Sequence, residues 1–403
     1  MSADSTADVV VVGGGTIGGW AAHQAAVKGA ERVVALERGL VGAGASSRAA
    51  GIVRAQGGNE TGVRLGRWSI DFYERQRAEL SVDSGFRRLG YLLLATSEAA
   101  ADEAERRVAA QRDLGLDVAW LDTDELARTH PGLAAGSLHG ASYAPGDGAI
   151  DPDRNVRAYS LALAAAGVKL RERTPCIGID TAGGPDARRV TGVRTPHGTI
   201  ATERVVLTGG PTLANVGALV DAPIPAAGVR HQVAVTEPHP ELGGESVPMA
   251  YDVEAGLYWR EHEGGLLFGM SNPQENTGEA RRIDWEYFNR LRERLTMFMP
   301  ATAELGLRKV WAATIDYTPD HLPIIGPALT RSGDAIAGAT VASAAGHGMM
   351  WGPAVARAAA DVALDGKTDV VDVTDLGLDR FDAEGRSRLP VDRIALPFPE
   401  SVL

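Results

Sequence analysis

At 403 residues the chain is too long for one simple hydrophobic core, so two joined domains are expected, and its 44% hydrophobic and 23% charged content is that of a globular protein. A formal charge of −12 argues against a nucleic-acid partner, which needs a basic surface, and no apolar run nears the ~20 residues that span a bilayer. A single cysteine, Cys176, excludes an intrachain disulfide and a thiolate metal cluster; no metal site is expected. The polar N-terminus, Met1-Ser-Ala-Asp-Ser-Thr-Ala7, lacks the pattern of a secretory signal, so a cytoplasmic location with no membrane partner is expected. Arginine supplies nearly all the positive charge, since only Lys28, Lys169, Lys309 and Lys367 are lysines.

The chain opens on a strand–turn–helix–strand pattern. Asp8-Val-Val-Val-Val12 leads into Gly13-Gly14-Gly15-Thr16-Ile17-Gly18-Gly19, then into the helix-prone Trp20–Lys28, and a second apolar run, Val33–Leu36, ends on Glu37. Gly13, Gly15 and Gly18 take the G-x-G-x-x-G positions, and Glu37 follows 19 residues after Gly18, where an acid can accept hydrogen bonds from an adenosine ribose. Gly13 allows the tight turn, Gly15 a close approach by a pyrophosphate, and Gly18 close packing of helix on sheet, with the helix N-terminus facing the phosphates. The unit predicts dinucleotide binding. The small-residue loop Gly39–Gly51 that follows suits a segment lying against a cofactor.

Beyond it, Arg64–Leu80 reads as an amphipathic helix, residues 85–96 as paired strands, Ala99–Leu114 as a helix, and Asp122 as the cap of a short helix ending before Pro131. Ser142–Ile150 is turn-rich, and Asp151-Pro152 starts a helix to about Ala166. Short strands are expected at Val168–Arg173, Cys176–Asp180, Val190–Arg194 and Val205–Leu207, the last leading through Thr208-Gly209-Gly210-Pro211 into a helix. Residues 224–270 alternate like antiparallel sheet, a helix covers Trp285–Met299, and strands resume at Leu307–Tyr317. A strand at Ala335–Gly338, the turn Gly346-His347-Gly348 and a helix over Met349–Leu364 follow.

Three later stretches, taken with the N-terminal unit, carry a family likeness: Gly51-Ile-Val-Arg54, Trp311-Ala-Ala-Thr-Ile-Asp-Tyr-Thr-Pro-Asp-His-Leu-Pro-Ile-Ile-Gly326, and Gly346-His-Gly-Met-Met350. In this order they resemble the D-amino-acid oxidase superfamily of FAD enzymes over roughly residues 7–370, and most closely its sarcosine oxidase, dimethylglycine dehydrogenase and proline dehydrogenase β-subunit branch. The resemblance implies an α+β/α/β architecture. A glutathione-reductase-like FAD-binding (Rossmann) domain would be built from residues 1–84, 150–222 and 318–372, an antiparallel-sheet substrate domain from 85–149 and 223–317, and a C-terminal extension from 373–403. It implies FAD, expected to be non-covalent because of a departure described below, and oxidation of the C–N bond of an amino or imino acid, of N-alkyl, cyclic or D-amino-acid type, to an imine, with O2 or a carrier as electron acceptor. Two alternatives stay open: a flavin 2-hydroxyacid dehydrogenase with His347 or His231 as base, and a flavin subunit of a larger dehydrogenase complex.

By the same resemblance, the cofactor contacts are Gly13, Gly15, Thr16, Ile17, Gly18, Glu37, Arg38, Ser46, Ser47, Ile177, Gly209, Gly210, Gly346, His347, Gly348 and Met349. Arg54 matches the arginine that grips a substrate carboxylate, a task suited to a guanidinium fork. Tyr258 and Arg260 match a strand on the substrate side and share one of its faces, which makes Arg260 a second carboxylate candidate. His347 is expected either to donate to the flavin ring or to serve as a structural histidine, with Gly346–Met349 opening a helix aimed at the ring. His231-Gln232 could face the pocket or the core. The departures are as informative. Where monomeric sarcosine oxidases carry a flavin-linked cysteine, counting back from Thr318-Pro-Asp320 gives Ala313, and two lysines of those enzymes correspond to Leu267 and Met350. Cys176 reads as a small buried apolar residue. Losing both cations weakens the case for a small substrate and for fast reaction with oxygen, and apolar Leu267, Met349, Met350 and Trp351 suit a bulkier substrate.

Overall fold

The computed structural model describes residues 5–184, 187–242, 247–391 and 394; the first four residues, and residues 392–393 and 395–403 of the C-terminal extension, lie outside the described residues. Strands β1 (Val9–Val12) and β2 (Val33–Leu36) are apolar along their whole length and buried at every position, as central parallel strands are. They pair in parallel, joined by α1 (Thr16–Val27). The sheet continues on one side through Lys169–Arg171 and on the other through Val205–Leu207, Ala335–Ser343, Arg189–Thr195 and Gly178–Ala182. The five strands from Lys169–Arg171 to Ala335–Ser343 are parallel to one another. Helix α1 is buried almost all round because Pro152–Ala165 and Gly352–Asp365 pack on it. Trp20, at its centre, is fully buried and donates its indole N–H to Asn155 Oδ1 at 3.2 Å.

The second sheet has eight strands, in the order Leu307–Tyr317, Ala227–Thr236, Gly265–Met270, Leu257–His262, Met249–Asp252, Tyr91–Ala95, Gly140–Ala144 and Ala119–Leu121. Its pairings are antiparallel except at one seam, where Tyr91–Ala95 runs parallel to Met249–Asp252. That seam joins two chain segments far apart in sequence, so no hairpin dictates its polarity.

The structure corrects several local expectations. Residues 85–96 do not form a mutual pair. Gly90 takes a left-handed conformation (φ 73°) and turns the chain, so Arg87–Arg88 pairs with Gly148–Ala149 while Tyr91–Ala95 enters the large sheet. The stretch 142–150 therefore carries strand residues on both sides of its turn. The strand Gly198–Ala201, in which Ile200 is the one buried residue, so that there is no apolar alternation, was not expected. The last long helix begins at Gly352, not at Met349. Pro353 has no N–H to give the Met349 carbonyl, which accepts from the Tyr73 hydroxyl at 2.9 Å instead. No helix among the described residues is long and apolar enough to cross a membrane.

Candidate active site

A cavity of about 720 Å³ is lined by residues from both sheets and by the loop after Glu37. On the first sheet, Gly13 turns with φ 113°, and a Cβ there would sit 2.5 Å from the Thr208 carbonyl oxygen. Glu37 fastens the turn: its two carboxylate oxygens accept the amides of Gly14 (2.9 Å) and Gly39 (2.7 Å), and each keeps a lone pair for a ligand hydroxyl. The Thr16 amide donates to Ser46 Oγ at 3.0 Å, and a Cβ on Gly15 would come within 3.1 Å of that oxygen. Gly209 and Gly210 line the same wall. This is a backbone cradle with an acid beside it, and it fits the ADP half of FAD. Gly18 acts from behind. A Cβ there would stand 1.9 Å from the Gly13 carbonyl oxygen, so Gly18→Ala must push α1 off the turn. The variant is expected to lose about 2 kcal/mol of stability and to retain less flavin through gel filtration, read from the ratio of visible to ultraviolet absorbance.

Other expected cofactor contacts divide. Ile17, Arg38, Gly346, His347, Gly348 and Met349 line the cavity. Ser47 and Ile177 do not: the Ser47 amide donates to Gly42 O, and Ile177 points outward, 52% exposed, with its amide bonded to Arg194 O. Their neighbours Ser46, Arg48, Pro175 and Cys176 form the wall instead. Burial pushes the Cys176 thiol up, which disfavours the reactive thiolate.

The turn Gly346–Met350 sets His347 into the wall, where it is buried, and burial together with the nearby Arg54 charge holds its imidazole down to about 3. The ring is therefore neutral. Its Nδ1 lies 2.9 Å from the Ala345 carbonyl, which can only accept, so Nδ1 carries the proton and Nε2 is left as an acceptor. Nε2 has no hydrogen-bond partner among the described residues. His347 thus offers a lone pair and not the donor that was one of its two expected roles, and the helix starts only at Gly352, so no helix N-terminus lies at Gly348–Met349.

Arg54 is buried in the cavity wall, its Nη1 donating to the Gln56 carbonyl and its Nη2 to the Ile394 carbonyl at 3.2 Å. Tyr258 faces the same space, its hydroxyl 2.7 Å from His231 Nε2, and His231 Nδ1 lies 2.9 Å from Ser271 Oγ. Burial keeps His231 down at about 4, so this chain is neutral as well. Gln232, the other half of the pair, is buried outside the cavity lining. Arg260 is also outside the lining: Nε donates to Ala50 O (2.8 Å) and Nη1 to Glu261 O (2.9 Å), so it braces the loop before Arg54. Of the four apolar residues expected at the substrate, Met349 and Met350 line the cavity, whereas Leu267 and Trp351 are packed in the core.

Sequence reading missed Asp316. It lies in the quoted 311–326 stretch and lines the cavity, with Oδ2 accepting from the Ser343 hydroxyl at 2.6 Å and burial pushing its carboxyl up. Its place in the alternation of a long strand was the only available signal. No cluster of three or more His, Cys, Asp or Glu that could hold a metal occurs among the described residues.

Residues 8–362 match the family model described as DAO, FAD dependent oxidoreductase. The chain is 30% identical over 384 residues to the glycine oxidase of Geobacillus kaustophilus (strain HTA426), covering 93% of this chain and 97% of that protein. It is 28% identical over 339 residues to human mitochondrial sarcosine dehydrogenase, covering 80% of this chain but only 36% of that protein, so it spans well under half the length of this relative. Among solved structures, L-proline dehydrogenase from P. horikoshii superposes with a TM-score of 0.83 at 25% identity, over 95% of this chain and 100% of that one.

Proposed function

We propose a function on one premise: the chain belongs to the DAO family of FAD-dependent oxidoreductases. The reaction is oxidation of the C–N bond of an amino or imino acid to an imine, with the substrate carboxylate held by Arg54. The observation that carries this reading is a buried guanidinium in the wall of the same cavity that holds the Gly13–Glu37 cradle. Bound FAD supplies the hydride acceptor. The protein's own groups bind and orient: Arg54 fixes the carboxylate, Tyr258 and His231 present a neutral polar wall, and the bare Nε2 of His347 accepts a hydrogen bond from an N–H donor.

In this reading residues 1–84, 150–222 and 318–372 form the FAD domain, and 85–149 and 223–317 the substrate domain, each supplying one of the two large sheets. FAD is held without a covalent bond, since the position of the family's tethering cysteine is the buried Ala313. Met350, an apolar group in the cavity wall at a position where the resemblance has lysine, favours a substrate bulkier than sarcosine.

Anaerobic mixing with a panel of N-alkyl, cyclic and D-amino acids tests the reaction. The visible flavin band is expected to bleach with at least one bulky member of the panel and more slowly with sarcosine, and acid precipitation should leave the flavin in the supernatant. Bleaching by a 2-hydroxy acid and by no amine would overturn the assignment. That outcome is disfavoured because His231 and His347, the two bases that alternative calls on, are both held far below neutral pH.

A further inference from the structure

Directly behind Arg54 lies a buried polar network that the reaction as described does not use. Asp147, in the turn between Gly140–Ala144 and Gly148–Ala149, is 1% exposed. Its Oδ1 accepts the Ala55 amide at 2.7 Å and its Oδ2 the Gln56 side-chain amide at 3.4 Å. Gln56 Nε2 also donates to the Tyr91 carbonyl (2.8 Å), and its Oε1 accepts from Ser142 Oγ (2.8 Å). The Gln56 main-chain carbonyl in turn accepts from Arg54 Nη1. The carboxyl therefore grips the two residues that follow Arg54, and through Gln56 it holds the guanidinium itself.

We propose that Asp147 is the positioning residue for Arg54, and that its carboxyl sets how much positive charge Arg54 presents to an anionic substrate. This rests on the reading of Arg54 as the carboxylate grip. An ionised Asp147 offsets the guanidinium from behind; a protonated one keeps the same hydrogen-bond frame but leaves the cation uncompensated.

The other groups that face Asp147 cannot take over this role. Tyr91, on Tyr91–Ala95, and Tyr143, on Gly140–Ala144, are phenols that burial holds above their usual range, so both are neutral. Arg54 is the charged neighbour among the described residues that acts on the carboxyl. Burial pushes Asp147 up to about 6, with its hydrogen bonds and the Arg54 charge pulling the other way, so the change of charge falls in a usable range. The sign follows: below that value the carboxyl is protonated and carboxylate binding is strongest, and binding weakens as pH rises through it.

The test uses the FAD-loaded protein and 2-furoate, a carboxylate without an amine that stays ionised throughout, followed by its perturbation of the flavin spectrum. Between about pH 5 and pH 8 the wild-type Kd is expected to rise by about tenfold. Asp147→Asn, which keeps a neutral acceptor for Ala55, is expected to bind at all pH values within about twofold of the wild type at low pH. A flat wild-type profile overturns the proposal without recourse to any variant, as does an unchanged pH dependence in a folded Asp147→Asn protein. Arg54→Met separates the two levels. If it binds 2-furoate as the wild type does, the grip itself is wrong; if it loses binding while the wild-type profile is flat, only the role of Asp147 is.

Discussion

Replacing Arg54 by methionine is expected to lower kcat/KM for the amino-acid substrate by about a thousandfold, equivalent to roughly 4 kcal/mol of lost interaction with a buried carboxylate. Methionine keeps much of the side chain's volume but offers no donor, so the substrate's charge would enter the cavity unpaired. Most of the loss should fall on KM, because the guanidinium grips the carboxylate equally before and during reaction. Flavin content should be unchanged, since Arg54 follows the short strand Ile52–Val53 and its hydrogen bonds go to the carbonyls of Gln56 and Ile394 and not to the Gly13–Glu37 cradle. Steady-state kinetics together with the flavin absorbance spectrum check both halves. Activity within a few-fold of wild type, in a protein that still carries flavin, would remove Arg54 from the substrate site.

The second large effect concerns stability. Arg380→Met is expected to destabilise the fold by about 4 kcal/mol at neutral pH, as the loss of one partner from a buried ion pair does. Arg380 is completely buried, with Nε and Nη2 on the two oxygens of Asp320 at 2.7 and 3.0 Å and further bonds to the carbonyls of Leu376, Gly377 and Leu322. Burial alone would raise the Asp320 carboxyl, but the hydrogen bond and charge of Arg380 outweigh it and hold the group below the usual value of 3.8. A depressed folded value means that this stabilisation is present above the unfolded value and is lost as pH falls through the folded one. The gap between wild type and variant in urea unfolding should therefore be widest near neutrality and narrow in acid. A second substitution, Asp320→Asn, should restore part of the loss by removing the stranded charge. An Arg380→Met protein as stable as the wild type at neutral pH would show that the pair contributes nothing net.

That pair also shows where sequence reading stopped. Thr318-Pro-Asp320 was visible as a motif, yet the partner of its aspartate lies 60 residues on, in what reads from sequence only as a C-terminal extension. The same extension brings the Ile394 carbonyl to Arg54. Tyr258 and Arg260 share a strand face, so alternation treats them alike; packing separates them, giving Tyr258 to the cavity and Arg260 to the carbonyls of the loop before Arg54. Asp147 sits in a turn-rich stretch with no motif to mark it, and it gains its role only because the chain places Ala55 against it from 92 residues away.

The cofactor end was legible in the amino-acid order alone. A βαβ unit is local: strand, glycine turn, helix and acid are read within thirty residues of one another, and their spacing dictates which amides and which carboxylate converge. The family likeness extended that to a flavin and to Arg54. The charge and proton placement in the cavity wall came from the folded packing. That His347 is a neutral acceptor, that Arg260 is used up behind the wall, and that Asp147 holds the two residues after Arg54 all depend on burial and on partners distant in the chain. Periodicity and motif carry neither, because desolvation and pairing are properties of the packed surroundings of a group and not of its neighbours in sequence.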